Sequence, residues 1–417
     1  MKGVSVESAA RGMTVPRYLL LASVLLLALG GLVMIYSASS VSDYVKLHDS
    51  AYHLKRQALW LLGGAVLAWA VSRIDYRAIS SSRWFVYGGS LAGLVAVFFV
   101  GVEKYGGRRW LSIGPLVIQP SEYAKLGCLL LVAAWVVEWQ RGRLATKDLY
   151  GRLCVVLAPV VVLVMLQPDM GTTLSILAAV FVVLVLGRLP VIQLAAIFGA
   201  GAVVSAGLVA VERYRFARFL AFLDPWKDPL GGGYQIIQAT YAFGSGRFFG
   251  VGLGMSRQKF FYLPAAHTDF IFAIIGEELG LAGTLAVVAA FGVFACAGLL
   301  IAMRCRDPFG KVLAGGLTAT IVVQAVMNMA AVTGLMPVTG IPLPLVSAGG
   351  SSITFTMMCV GMVLSVSRYG ARGPVPVKAV RHEAEGGKRA VSGERRRDGW
   401  TRPPRAVGGS GADRRRA

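Results

Sequence analysis

Ten stretches of this chain stay apolar for about as long as a bilayer core is thick, and that repetition restricts the fold more than any other feature. A hydrocarbon core takes roughly 20 residues of helix, with about 17 to 25 as the working range. Runs near 18–38, 56–73, 84–102, 122–138, 153–167, 171–187, 189–211, 268–303, 312–333 and 351–368 meet or approach that length. A membrane interior offers no water to backbone N–H and C=O groups, so apolar spans of this kind close their hydrogen bonds within helices. The expected fold is an all-α polytopic membrane protein with about ten transmembrane helices. Composition agrees: 56% of the 417 residues are hydrophobic and only 15% charged, more apolar surface than a soluble chain can hide. The 51 glycines suit helices that approach closely without a hydrophobic drive between them.

Two runs depart from a single straight span. Gln167-Pro168-Asp169 interrupts 153–187, which predicts two short spans meeting at one face. The run 268–303 would be a helix of about 54 Å, so part of it must tilt, protrude or line a cavity. The first run follows Arg11 and Arg17 but is too long for the apolar region of a signal peptide, and reads as an uncleaved helix.

Charge orients the chain. With both termini cytoplasmic, the inner segments collect Arg73, Arg77, Arg83, Arg141, Arg143, Lys147, Arg152, Arg188, Arg304, Arg306 and Lys311, consistent with the positive-inside rule. The domain plan is a cytoplasmic segment 1–17, a membrane domain 18–368 with a large outer loop 212–267, and a tail 369–417. The tail holds 13 basic and 5 acidic residues and no apolar run, so it reads as a disordered cytoplasmic arm, with anionic membrane lipid as a candidate partner and nothing pointing to nucleic acid. The outer loop carries seven cations, including Arg213, Arg215, Arg218, Arg247 and Lys259. Long loops cross a membrane largely regardless of charge; the other reading is a basic surface that receives an anion. Five cysteines, mostly inside apolar runs, and four histidines without clustered spacing argue against a disulfide framework and a zinc or haem site.

Four polar clusters fall toward the outer face. Gly106-Gly107-Arg108-Arg109-Trp110 precedes Gln119-Pro120-Ser121-Glu122-Tyr123-Ala124-Lys125, where Glu122 and Lys125 share a helix face and can pair. Arg109 could hold a phosphate while Trp110 packs on a sugar or lipid; an interfacial aromatic belt with a structural ion pair explains the same residues. In Gln167-Pro168-Asp169-Met170-Gly171-Thr172-Thr173, Asp169 sits at a helix start, where capping is as good an explanation as catalysis. In His267-Thr268-Asp269-Phe270, Thr268 is a candidate N-cap, and Asp269 in the first turn is a candidate general base. His267 alone is more simply a hydrogen-bonded surface residue, and Glu277 and Glu278, two turns deeper, are expected in a buried network. Last, Gln324 and Asn328 lie one turn apart ahead of 333–352, whose prolines and glycines forbid a continuous helix and predict a re-entrant stretch. Its backbone amides and hydroxyls, at Ser347, Gly349, Gly350 and Ser351, could cradle phosphate or sugar.

The strings GGRRW, IQPSEYAKL, QPDMGTT, HTDFIFAIIGEELG and GIPLPLVSAGGSS, in that order, resemble the SEDS family of shape, elongation, division and sporulation proteins, from about Ser37 to Ser367. The Tyr36-Ser37-Ala38-Ser39-Ser40 ending of the first run and the Phe261-Tyr262-Leu263-Pro264 approach to Asp269 look more like division members than elongation members. The resemblance implies a ten-span peptidoglycan glycosyltransferase that polymerises lipid II into a lipid-linked glycan outside the membrane. It implies work with a class B penicillin-binding protein, a transpeptidase, among other division proteins. It makes Asp269 the essential carboxylate, with Arg109, Glu122, Lys125 and 333–352 lining or supporting one cavity. Ala265 and Ala348 depart from the family pattern, so no carboxylate role passes to the first and no stacking role to the second.

The chemistry is consistent with one outer carboxylate. Joining a lipid pyrophosphate sugar to a hydroxyl with inversion needs a base for the acceptor and positive charge for the leaving pyrophosphate, not a pair of carboxyl groups. Asp269 would serve as base, with Arg109 and some of Arg213, Arg215, Arg218, Arg247 and Lys259 attracting pyrophosphate; a divalent cation, Mg or Mn, could share that neutralisation. A lipid II transporter and a non-catalytic division scaffold remain the rival readings.

Overall fold

The computed structural model describes residues 12–104, 107–114, 116–196, 198–199 and 220–370. The first elements are α1 (Thr14–Leu47), α2 (Tyr52–Arg73), a short α3 (Tyr76–Ser81) and α4 (Arg83–Val100). A three-stranded antiparallel sheet follows, β1 (Gly101–Lys104), β2 (Gly107–Ile113) and β3 (Leu116–Ile118), in sequence order. Then come α5 (Pro120–Gln140), α6 (Thr146–Leu166), α7 (Met170–Leu186), α8 (Tyr234–Gly246), α9 (Ile271–Arg304), α10 (Pro308–Val332) and α11 (Gly350–Tyr369).

Nine of the ten expected runs lie on these helices; the tenth, 189–211, falls mostly outside the described residues. Among the described residues seven helices, α1, α4, α5, α6, α9, α10 and α11, are long and apolar enough to cross a membrane, and α7 is a shorter apolar helix. The split of 153–187 occurs where expected, between α6 and α7. Local chemistry sets the helix starts. Asp75, Asp169 and Asp307 each accept a hydrogen bond from a first-turn amide, at Arg77, Thr172 and Gly310 respectively. Pro120 and Pro308 sit in the first turn, where a missing N–H costs nothing.

Helix α5 is the centre of the bundle, buried along almost its whole length against α4, α7 and α10. Outer neighbours keep apolar side chains such as Leu25, Leu26, Leu59, Phe85, Phe99 and Val155 exposed, as lipid-facing surfaces do. Helix α11 packs on α2, and α9 packs on α1, α10 and α8. One glycine shows how tightly: a Cβ on Gly31 of α1 would lie 2.7 Å from the Leu345 carbonyl oxygen.

The long run resolves by a break. Within α9, Gly280 leaves the helical region at φ 66° and ψ −161°. A side chain there would meet Gly250 N at 2.4 Å and Phe248 O at 2.5 Å. The segment 247–252 lies against the interruption and pairs with it: Val251 and Gly252 N–H donate to the carbonyls of Glu277 and Glu278, and Leu281 and Ala282 donate to those of Arg247 and Phe248. Irregular backbone inside a membrane protein is thus satisfied by other backbone.

Connectivity brings one set of helix ends together. The α1–α2 turn, the sheet, the α6–α7 turn, 247–270 and 333–349 all gather at one end of the bundle. The opposite end is fastened separately, by Arg17 donating to the Ser367 hydroxyl at 3.0 Å and Tyr76 donating to Asp307 at 2.8 Å.

Candidate active site

All four polar clusters occupy the first of these ends, and hydrogen bonds tie them to one another. Two features position Asp269. Upstream, Ala265 adopts φ 57°, and its carbonyl accepts from both the Thr268 and Phe270 amides in a tight turn. Downstream, α9 begins only at Ile271, with Phe270 at the cap position and no side-chain cap. Thr268 is therefore not the N-cap expected from the sequence. Its hydroxyl turns back to the Ala265 carbonyl at 3.2 Å, and Asp269 precedes the helix instead of lying in its first turn.

Three consecutive carbonyls hold this loop to the re-entrant stretch. His267 O accepts from Ala348 N at 3.0 Å, Thr268 O accepts from the Ser347 hydroxyl at 2.6 Å, and Asp269 O accepts from Asn328 Nδ2 at 2.8 Å. Asn328 Nδ2 also donates to Ile341 O at 2.7 Å, so one amide joins α10, the Asp269 loop and the re-entrant stretch. The Asp269 carboxylate borders Gly340, where a Cβ would stand 3.7 Å from Oδ2 and where φ is 71°.

The stretch 333–349 is irregular, as its prolines predict, and buried at Ile341, Leu343, Leu345 and Val346. Gln57 of α2 grips it, donating to Ser347 O at 3.2 Å and accepting from Gly349 N at 3.2 Å. A side chain on Gly350 would strike the Trp60 indole at 2.4 Å. Ser351 joins this stretch to the sheet, accepting from Gln119 N at 3.0 Å and donating to Val117 O at 2.9 Å.

Arg109 and Trp110 lie on β2. The Arg109 guanidinium donates to the carbonyls of Gln167 at 3.0 Å and Pro168 at 2.6 Å, clamping the sheet to the α6–α7 turn. Asp169 caps α7 through Thr172 N at 3.0 Å and accepts from Gln119 Nε2 at 3.1 Å. Glu122 and Lys125 do pair: Nζ lies 2.8 Å from Oε2, close enough for an ion pair though not at a hydrogen-bond angle. Lys125 is fully buried, donates to Gln324 Oε1 at 2.8 Å and sits over the Phe355 ring. These residues bind the walls of the site together, and the buried pair faces protein on every described side.

Glu277 and Glu278 form the buried network expected of them. Glu277 accepts from the Ser256 hydroxyl and from the Arg257 and Gln258 amides. Glu278 accepts from Ser37 at 2.7 Å and is paired with Lys259 at 3.2 Å. Lys259 was expected among the outer cations, but its ammonium is buried against Glu278, Ser37 and the Gly254 carbonyl, because an unpaired carboxylate at that depth would be too costly. Arg247 is exposed at the end of α8. Arg213, Arg215 and Arg218 lie outside the described residues.

Sequence reasoning missed Asp43, His53 and Gln57. His53 Nδ1 lies 2.6 Å from Asp43 Oδ1, and its ring contacts that of His267 with centroids 4.5 Å apart. Burial, then the neighbouring His53, pushes the His267 pKa down to about 4, so its imidazole is neutral at neutral pH. Among the described residues no group of three or more His, Cys, Asp or Glu side chains is placed to hold a metal ion.

Comparison with known proteins gives a consistent picture. The family model FTSW_RODA_SPOVE, described as cell cycle protein, matches residues 17–372. The chain is similar to Stage V sporulation protein E of Bacillus subtilis, 40% identical over 85% of this chain and 98% of that protein. It is 41% identical to a probable peptidoglycan glycosyltransferase FtsW of Trichlorobacter lovleyi, over 84% of this chain and 92% of the relative. Among solved structures, a chain from a work on structural coordination of polymerization and crosslinking by a peptidoglycan synthase complex superposes with TM-score 0.68 at 33% identity, covering 84% and 96% of the two chains. The rod shape determining protein RodA of Thermus thermophilus gives TM-score 0.62 at 30% identity, over 84% and 96%.

Proposed function

The chain belongs to the FtsW, RodA and SpoVE family of cell cycle proteins, and from that membership we propose that it polymerises lipid II on the outer face of the membrane, with Asp269 as general base. It is an integral membrane peptidoglycan glycosyltransferase, as its FtsW-named relatives and its fold support. The observation that carries the proposal is the placement of Asp269. Each of the three carbonyls from His267 to Asp269 is anchored, so the loop is rigid, and its carboxylate stands at the end where every other polar cluster converges.

In the proposed reaction the Asp269 carboxylate takes the proton of the acceptor N-acetylglucosamine 4-hydroxyl. The oxygen then forms a bond to the anomeric carbon of the donor as the bond from that carbon to the pyrophosphate oxygen breaks. The electron pair leaves on undecaprenyl pyrophosphate, whose charge needs cations more than a proton. Exposed Arg247 is the described candidate for that role, with Arg213, Arg215 and Arg218 as further candidates in the same outer loop. Arg109 contributes by fixing the sheet against the α6–α7 turn, and Asn328, Ser347 and Gln57 by fixing the floor.

The inward face is assigned from the cations of the connecting segments. The FtsW-named relatives favour a septal, division-type role over elongation. The neighbour drawn from a complex of polymerization and crosslinking supports a class B transpeptidase as partner. The transport alternative needs polar groups open to a permeating headgroup; Glu122, Lys125, Glu277 and Glu278 are instead matched by protein partners.

The test uses the purified full chain with its transpeptidase partner and lipid II in detergent, where no sidedness exists. Glycan strands from the intact complex support the enzyme. Failure to make polymer under conditions where the complex is folded and binds lipid II would leave transport or scaffolding.

A further inference from the structure

The outer ends of α1 and α2 carry an acid and an imidazole that the proposed chemistry does not use. Asp43 is 2% exposed, and both oxygens of its carboxylate are engaged by neighbours on the same two helices. Oδ2 accepts from the Ser39 hydroxyl at 2.9 Å and from the His53 amide at 3.1 Å, while Oδ1 lies 2.6 Å from His53 Nδ1. A carboxylate oxygen at that distance takes a donor, which places the proton of a neutral ring on Nδ1. The ring is thereby fixed at both its backbone and its Nδ1, and its far face meets His267 at a tilt of 47°.

His267 is two residues before Asp269, and its carbonyl is anchored to Ala348. Its side chain projects to the other side, onto His53. The loop bearing Asp269 is thus held from two directions: its main chain by α10 and the re-entrant stretch, its imidazole by α1 and α2. Other charged or titratable groups around the pair are Lys46, whose charge acts on His267 and which sits over the Phe261 ring, and Tyr52, whose ring meets His53 edge to face. A neutral His267 lets the two rings pack without repulsion between charged imidazoles.

We propose that the Asp43–His53 pair positions Asp269 through the His267 ring, so that the first two helices set the geometry of the base; the inference rests on Asp269 being that base. His53 is a positioning residue here, acting at one remove from the reacting atoms. A displacement of about 1 Å in a positioned group can lower a rate up to a hundredfold, so a loosened loop shows in kcat well before it shows in binding.

The experiment measures lipid II polymerisation by the full chain in complex with its transpeptidase partner, for His53→Ala, His53→Gln, Asp43→Asn and the double variant Asp43→Asn/His53→Ala. Melting temperature in detergent is read alongside. The expected result is a kcat at least tenfold lower for His53→Ala with KM for lipid II unchanged and melting little altered. His53→Gln, which keeps a donor toward Asp43, recovers most of the rate, and the double variant is no slower than His53→Ala, since both changes break one chain of contacts. A kcat within twofold of the native rate, additive losses in the double variant, or losses that track the unfolded fraction would overturn the proposal. Asp269→Ala separates the two readings. Inactive Asp269→Ala with fully active His53→Ala removes the positioning claim alone, whereas active Asp269→Ala removes the base and the positioning claim with it.

Discussion

Asn328 Nδ2 lies 2.8 Å from the main-chain carbonyl of Asp269 and donates to it, while the same nitrogen donates to Ile341 O at 2.7 Å. A residue near the C-terminal end of α10 therefore holds the candidate base and the re-entrant stretch in fixed relation. Asn328→Asp replaces this donor with an acceptor facing two carbonyls, and buried polar groups left without partners cost about 1–3 kcal/mol each. The expected outcome is a polymerisation rate lower by roughly tenfold or more, with Asn328→Asp worse than Asn328→Ala. Initial rates of lipid II consumption by the purified complex measure it; equal rates for both variants and the native chain would contradict the assignment.

Lys259 and Glu278 form a buried pair at 3.2 Å that fastens the loop ahead of Asp269 to α9. Removing one partner leaves an uncompensated charge, which typically costs about 3–5 kcal/mol. Lys259→Met alone should lower the detergent melting temperature more than Lys259→Met combined with Glu278→Gln. A double variant that melts below both singles would show that the pair is not the dominant contact there.

Gly280→Ala tests the helix break. At φ 66° and ψ −161° the backbone lies in a region essentially reserved for glycine, where an L side chain costs on the order of 1–3 kcal/mol, and its Cβ would lie 2.4 Å from Gly250 N. Expected is a clear fall in melting temperature and loss of protection from proteolysis across 247–252. An unchanged melting curve would mean that the break is not required.

Much of this was legible in the sequence because burial in lipid leaves a length signature. The helix runs, the split at 167–169, the Glu122–Lys125 pair and the irregular 333–349 all followed from apolar length, helical spacing or proline. The sheet at 101–118 did not. Its strands span four, seven and three residues, too short for period-two alternation to stand out. The break at Gly280 was hidden because its cause, the approach of 247–252, is distant in sequence from the helix it interrupts. Thr268 had the right chemistry for a cap, but the turn closed by Ala265 starts the helix later. His53 carries no signal of its own in the sequence, since nothing local shows that Asp43 and His267 lie beside it.

Acid should lower the stability of the fold through His267. His267 has its pKa lowered to about 4, against about 6.5 for a free imidazole, so the unfolded chain binds more protons between those values. Stability contributed by the neutral ring is complete above about 6.5 and is lost as pH falls toward 4. Melting temperature followed from pH 7.5 to 4.5 should decline through that window, and His267→Gln should flatten the decline. A native profile as flat as that of His267→Gln would contradict the assignment.

The proposed base, Asp269, can be tested at the bond-forming step itself. The most direct measurement is the single-turnover rate of glycan bond formation by the purified complex carrying Asp269→Asn, which preserves shape and removes basicity, with lipid II binding measured on the same preparation. Expected is a rate lower by about two to four orders of magnitude, as for loss of a general base, with binding intact. Bond formation near the native rate in Asp269→Asn would contradict it.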